Sequence, residues 1–199
     1  RDLSPGEPPF YHVVVLDSER IKLDRLRVAT PSGSVNTDGI DVLASSDVTI
    51  SKCHVSTGDD NVAIKEGSRR VQVLGGLFHK GHGLSIGSLG ERHTEQSVED
   101  VLLANVRFYR TSNAARVKTW QGGRGRVRNV TFSNLDVRAV GQPLVVDQFY
   151  CPASQHRGTC ANESDAVAVS DVTVSGLTGW HTSGVAAMLH CSQSKPCGV

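Results

Sequence analysis

Apolar residues in this chain come in short alternating triplets rather than long runs, and the triplets recur. One series reads Ile21-Lys-Leu23, Val48-Thr-Ile50, Val71-Gln-Val73, Val101-Leu-Leu103, Val130-Thr-Phe132 and Val172-Thr-Val174. A second is interleaved with it: Ile40 to Leu43, Val62 to Ile64, Leu84 to Ile86, Ala115 to Val117, Leu144 to Val146 and Ala186 to Leu189. Alternation with period two buries one set of side chains and leaves the other in water, so each copy predicts a short β-strand. Residues 1–11 read as a proline-rich loop leading into one more strand, Val13 to Leu16. No long amphipathic helical period interrupts the pattern.

Short alternating strands suit either a β-sandwich or a parallel β-solenoid. A sandwich has no reason to repeat one polar-x-x-Val-x-Val unit in step, whereas a solenoid buries each coil only against its neighbours and must repeat it. The prediction is therefore an all-β parallel solenoid of about six to seven coils, one domain over residues 1–199. Where the period stretches, the added residues are polar or glycine-rich: Gly90 to Gln96, Gln121 to Arg126, and Cys151 to Cys160. Such insertions emerge as loops on one face, often the binding face.

The period also aligns chemistry. Asp38 lies 22 residues before Asp60, and His82 lies 22 after it, each just ahead of an apolar run. Stacked coils would bring these positions within roughly 4.8 Å of their neighbours. Together with Asp59, they put three acids and a histidine in one patch. Cleaving a glycosidic bond needs one protonated acid and one carboxylate that activates water or attacks carbon. Crowded carboxylates supply both, because mutual repulsion keeps one of them protonated. Two other readings of the acids stand beside this one: turns that cap their own backbone, and a calcium site. Neighbours on a regular strand point to opposite faces, so a turn or bulge at Gly58 is needed for Asp59 and Asp60 to face outward together.

His82 sits in Gly81-His-Gly83, which lacks the spacing of a dinucleotide-binding turn. Its flanking glycines let a ligand approach the backbone, and the imidazole can orient an acid. Arg116 and Lys118 are two apart and share one strand face, where they suit a substrate carrying carboxylates or balance the aspartates. Tyr150 is placed to stack on or bind a sugar in the next coil, or else is a core aromatic beside a cysteine.

Composition narrows the partners. A net charge of +1 leaves no basic footprint for nucleic acid. No apolar run approaches the roughly 18 residues of a membrane span, and no signal-peptide pattern opens the chain. Four of the five cysteines form two close pairs, Cys151 with Cys160 and Cys191 with Cys197. Their spacing fits disulfides of an oxidising compartment better than a zinc site. Cys53 is left as a buried thiol. Asn129-Val-Thr131 and Asn162-Glu-Ser164 have the form of glycosylation acceptors, in keeping with a secreted monomer.

Asn36-Thr-Asp38-Gly, Gly58-Asp59-Asp60, Gly81-His82-Gly83 and Arg116-Val-Lys118, in this order and spacing, resemble the polygalacturonase family of glycoside hydrolases. Gln148-Phe-Tyr150-Cys151 and the cysteine pairs look like its plant and fungal members. The resemblance implies a right-handed parallel β-helix and hydrolysis of α-1,4-galacturonosyl bonds in pectin, with inversion and without metal or organic cofactor. It implies Asp59 as general acid, Asp38 and Asp60 activating water, and His82 supporting the acid. Arg116 and Lys118 would bind galacturonate carboxylates, and Tyr150 would contact the sugar. Many relatives bridge two cysteines at positions held here by Asn61 and Phe78, so one disulfide is lost and local rigidity with it. This chain also begins and ends inside the family's pattern, which reads as part of a longer catalytic domain. Two rival functions remain at this level: a calcium-dependent pectate lyase on a similar solenoid, and a non-catalytic pectin-binding remnant.

Overall fold

Short strands rich in valine and isoleucine, each too small to bury its apolar face alone, gain a core by stacking. The structure, a computed structural model, describes residues 10–31, 33–152, 160 and 163–199. Among them are fifteen strands: β1 (Val13–Leu16), β2 (Lys22–Asp24), β3 (Arg27–Ala29), β4 (Ile40–Leu43) and β5 (Ser46–Thr57). There follow β6 (Val62–Ile64), β7 (Arg69–Lys80), β8 (Leu84–Leu89), β9 (Val98–Ala104) and β10 (Arg107–Tyr109). The last are β11 (Ala115–Thr119), β12 (Arg126–Val140), β13 (Leu144–Asp147), β14 (Ala168–His181) and β15 (Ala187–His190).

The two triplet series become two parallel sheets. One runs β1-β4-β6-β8-β11-β13-β15 and contains the second series. The other is built on β2, β5, β7, β9, β10 and β12, with β3 beside β5 and β14 beside β12. Same-sheet parallel strands joined by crossovers coil right-handedly, which makes the chain a right-handed parallel β-helix. Register repeats at every coil: Ile40 pairs with Val62, Val62 with Leu84, Leu84 with Ala115 and Ala115 with Leu144. Across the helix, Val48, Val71, Val101, Val130 and Val172 form a matching row. The rows meet in one core, where Phe78 and Phe108 pack edge to face with centroids 5.4 Å apart. Full burial of each such side chain contributes about 1.5–3 kcal/mol.

The sequence pattern shows two strands per coil, but the coil has a third face. Beyond the first triplet, the long strands bend at Lys52, Gly75, Asn105, Asn134 and Gly176, all with positive φ. Asparagine and glycine tolerate that left-handed geometry, and Asn134 donates to Asn105 at 3.3 Å, tying two bends together. After the bend the chain runs through Val55, Phe78, Phe108 and Val137, which close the core on its third side.

All three insertions leave the same edge of the first sheet, after β8, β11 and β13. A Cβ on Gly90 would lie 2.7 Å from Gly123, so the first two insertions pack backbone to backbone only because both positions are glycine. Residues 153–159 of the third lie outside the described residues.

Candidate active site

Register sets the first contacts of the site. Because Ile40, Val62 and Leu84 are paired, the residues two before each, Asp38, Asp60 and His82, stack at one corner of the coil. Asp59 joins them through a tight turn after β5. Thr57 Oγ1 donates to the Asp59 carbonyl at 2.8 Å, and the Asp60 amide donates to Asp59 Oδ1 at 2.8 Å. Gly58 starts this turn for a reason other than a left-handed φ. A Cβ there would sit 2.1 Å from the Ser34 carbonyl oxygen, so only glycine lets the neighbouring loop pass.

Asp38, Asp59, Asp60, His82, Arg116, Lys118 and Tyr150 line one cleft of about 390 Å³. Single carboxylate and imidazole atoms of Asp59, Asp60 and His82 lie within 4.8 Å of one another. The three acids differ in access: the side chain of Asp59 is 24% exposed, that of Asp38 7% and that of Asp60 2%. Asp59 is therefore the acid that a large ligand reaches first. His82 Nδ1 is 3.0 Å from Asp59 Oδ1 and 3.7 Å from Asp60 Oδ1.

Burial and charge separate the three carboxyls. Asp60 is fully enclosed, and burial alone would raise it. Instead Lys118 Nζ at 2.9 Å from Oδ2 and Arg116 Nη2 at 2.8 Å from Oδ1 hold it ionised at about 2. Ser85 Oγ donates to the same Oδ1 at 2.8 Å and accepts from Arg116 Nε at 3.0 Å. Burial also pushes Asp59 upward, but the hydrogen bond and charge of His82 prevail and leave it below the usual carboxylate value. Asp38 goes the other way. Burial first, then the charges of Asp41, Asp60 and Asp59, raise it to about 8, against a weaker pull from Lys65.

Arg116 and Lys118 thus balance the charge of Asp60, and both also line the cleft. Tyr150 is half-buried, edge-on to Trp120 with centroids 5.5 Å apart, and Lys118 Nζ stands 5.4 Å over its ring. Burial raises its phenol.

Several site residues escaped the sequence reading: Asp41, Lys65, Ser85 and Tyr11. Asp41, Ala63, Ser85 and Arg116 form one outward row in register beside the stacked acids. Asp41, Ala63 and Ser85 keep the 22-residue period three positions further along, whereas Lys65 and Tyr11 fall outside it.

Asn61 has a different part from the one expected of a lost disulfide. Its Nδ2 donates to the Val55 carbonyl at 3.1 Å and to Thr57 Oγ1 at 3.0 Å, and its Oδ1 accepts the Gly83 amide at 2.8 Å. These bonds tie the Asp59–Asp60 turn to the end of β5 and to the His82 turn of the next coil, while Phe78 fills the core opposite. Asn61→Ala leaves the buried Gly83 amide unpaired and is expected to cost about 1–3 kcal/mol. Urea unfolding of the two proteins checks it.

The cluster of Asp59, Asp60 and His82 is compact enough to suggest a cation. Calcium, however, needs six or more oxygens, and both Asp60 oxygens already face ammonium or guanidinium groups. The donor set does not fit calcium. Cys151 is bonded to Cys160 and Cys191 to Cys197, while Cys53 is buried with its thiol pushed up by burial. Asn129 is exposed on β12 with Nδ2 donating to Asp100 Oδ1 at 2.7 Å. Asn162 lies outside the described residues.

Known proteins resemble this chain in sequence and fold. The chain is 36% identical over 197 residues to a polygalacturonase of Juniperus ashei, covering 99% of this chain and 38% of that protein. It is 39% identical over 197 residues to a polygalacturonase of Malus domestica, covering 99% of this chain and 42% of the relative. It therefore spans about two fifths of the length of these relatives. Among solved structures, endo-xylogalacturonan hydrolase from Aspergillus tubingensis superposes with a TM-score of 0.83 at 26% identity, covering 98% of this chain and 54% of that one. A polygalacturonase from Erwinia carotovora ssp. carotovora gives 0.72 at 27% identity, covering 90% and 54%. Residues 1–199 match the family described as Glycosyl hydrolases family 28, and the chain belongs to that family.

Proposed function

We propose that this chain carries the catalytic cleft of an inverting hydrolase that cuts α-1,4-galacturonosyl linkages in pectin. The observation that carries this reading is the meeting of Asp59, Asp60 and His82 within 4.8 Å, in a cleft also lined by Arg116 and Lys118. Asp59, the most open acid, delivers the proton to the leaving oxygen. In the free cleft it is ionised. A bound polyuronate brings further negative charge and excludes water, and both raise a carboxyl toward its protonated form. His82, at 3.0 Å, orients it. Asp60 and Asp38, which line the same cleft, activate the water for attack on the anomeric carbon.

Arg116 binds a substrate carboxylate with the N–H donors that Asp60 and Ser85 leave over, and Lys118 adds charge beside it. Tyr150 offers its ring to the sugar. The partner is thus the pectin polysaccharide, acted on by a single secreted, extracellular domain without a cofactor. Two disulfides support the oxidising compartment.

The test is release of reducing ends from polygalacturonate with EDTA present. Hydrolysis continues undiminished in the chelator and yields a saturated product. Loss of activity with EDTA, or a product absorbing in the ultraviolet, replaces the hydrolase with a calcium-dependent lyase.

A further inference from the structure

Asp41 is a second carboxyl that hydrolysis as described above does not use. It is 1% exposed, and its Oδ1 has no hydrogen-bond partner among the described residues. The residues opposite it in register, Val14 on β1 and Ala63 on β6, offer no polar atom. Lys65, just past the end of β6, comes from the coil below. Its Nζ is 2.9 Å from Asp41 Oδ2 and 3.7 Å from Asp38 Oδ2. Both carboxyls therefore converge on one ammonium, and the Asp41 charge raises the Asp38 carboxyl. Two like charges crowded on one cation favour protonation of one of them. One lysine therefore faces two acids.

We propose that Asp41 and Lys65 form a clamp that holds the Asp38 carboxyl at the edge of the cleft. Both are positioning residues, since they act through Asp38. The inference rests on the hydrolase reading only for its catalytic consequence. The clamp itself belongs to the ligand-free protein.

The charged surroundings of the pair are few. From the turn before β6 come Asp59 and Asp60, from the end of β6 Lys65, and from the segment before β1 Tyr11 and His12. Lys65 Nζ lies 4.9 Å over the Tyr11 ring, which holds the ammonium in place. His12 Nδ1 bonds to the main-chain oxygen of Asp38 at 2.9 Å, and so touches its backbone rather than its carboxyl. Burial raises both carboxyls, and Lys65 restrains Asp41 most strongly.

The signs follow from this arrangement. Removing the Asp41 charge relieves Asp38 of its nearest like charge, so Asp38 loses its proton at lower pH. Removing the Lys65 charge leaves the two acids without their cation, so the proton is held to higher pH. A merely structural role for either residue would not produce opposite shifts.

The experiment is carbon-13 NMR titration of the ligand-free chain labelled at its aspartate carboxyls, for wild type, Asp41→Asn and Lys65→Met. In the wild type one carboxyl titrates near 8. In Asp41→Asn that step moves down by about one pH unit or more, and in Lys65→Met it moves up. Amide spectra of each variant report folding. If Asp41→Asn fails to fold, Lys65→Met together with Asp38→Asn, which must abolish the high step, decides the matter. An unmoved step, or two shifts in one direction, overturns the clamp. Cleavage measured on the same samples separates the two claims. Activity with an unmoved titration removes the clamp alone, and the expected shifts without activity remove the hydrolase alone.

Discussion

Asp59→Asn is expected to slow cleavage of polygalacturonate about 100- to 10,000-fold, the usual worth of a positioned proton donor. The amide cannot release a proton to the leaving oxygen, yet it matches the carboxylate in size. Asp59 makes its structural bonds through its carbonyl, which takes Thr57, and through Oδ1, which takes the Asp60 amide. The asparagine oxygen can keep the second bond, so the turn persists. Stability should change little, and KM should change far less than kcat. Steady-state kinetics and a thermal melt on one preparation check both halves. An unchanged kcat takes Asp59 out of the acid role.

Asp60→Asn should behave in the opposite manner. Asp60 sits fully enclosed between Lys118 and Arg116, and removing its charge leaves two cations in a nearly dry place without their counter-ion. Breaking a buried pair on one side costs about 3–5 kcal/mol. The variant therefore loses activity chiefly by unfolding or by displacement of Arg116 and Lys118. Denaturant unfolding should register the whole loss. Acid has the same effect by another route. Because the folded carboxyl titrates at about 2, its contribution is intact above the ordinary carboxylate range and fades only as pH falls through about 2. A stable, merely inactive Asp60→Asn protein contradicts the buried-pair account.

These two neighbours show how far the sequence could be read. The period between Asp38, Asp60 and His82 was legible because stacking repeats a sequence interval, and the valine rows were legible for the same reason. The third face was not. Its bends fall on Lys52, Asn105 and Asn134 as well as on glycines, and a lysine in mid-run carries no turn signal. Gly58 pointed to a turn, but the demand on it comes from Ser34, a contact between segments that no local pattern records. The partition of charge was equally hidden. Asp59 and Asp60 are identical and adjacent, and only burial against Lys118 and Arg116 makes one a locked counter-ion while the other stays open. Nothing in the sequence marked Lys65, although it holds Asp41 and borders Asp38. Asn61 read as a missing cysteine, and its polar bonds became visible only in three dimensions.

The central claim is that stacked coils gather acids from separate turns into one centre that hydrolyses a uronoside with inversion. Proton NMR of the first product formed from an α-1,4-linked oligogalacturonate, recorded before the new reducing end mutarotates, tests this most directly. The account predicts that the β anomer appears first and that Asp59→Asn suppresses it. An α anomer appearing first, or an unsaturated sugar in its place, contradicts the account.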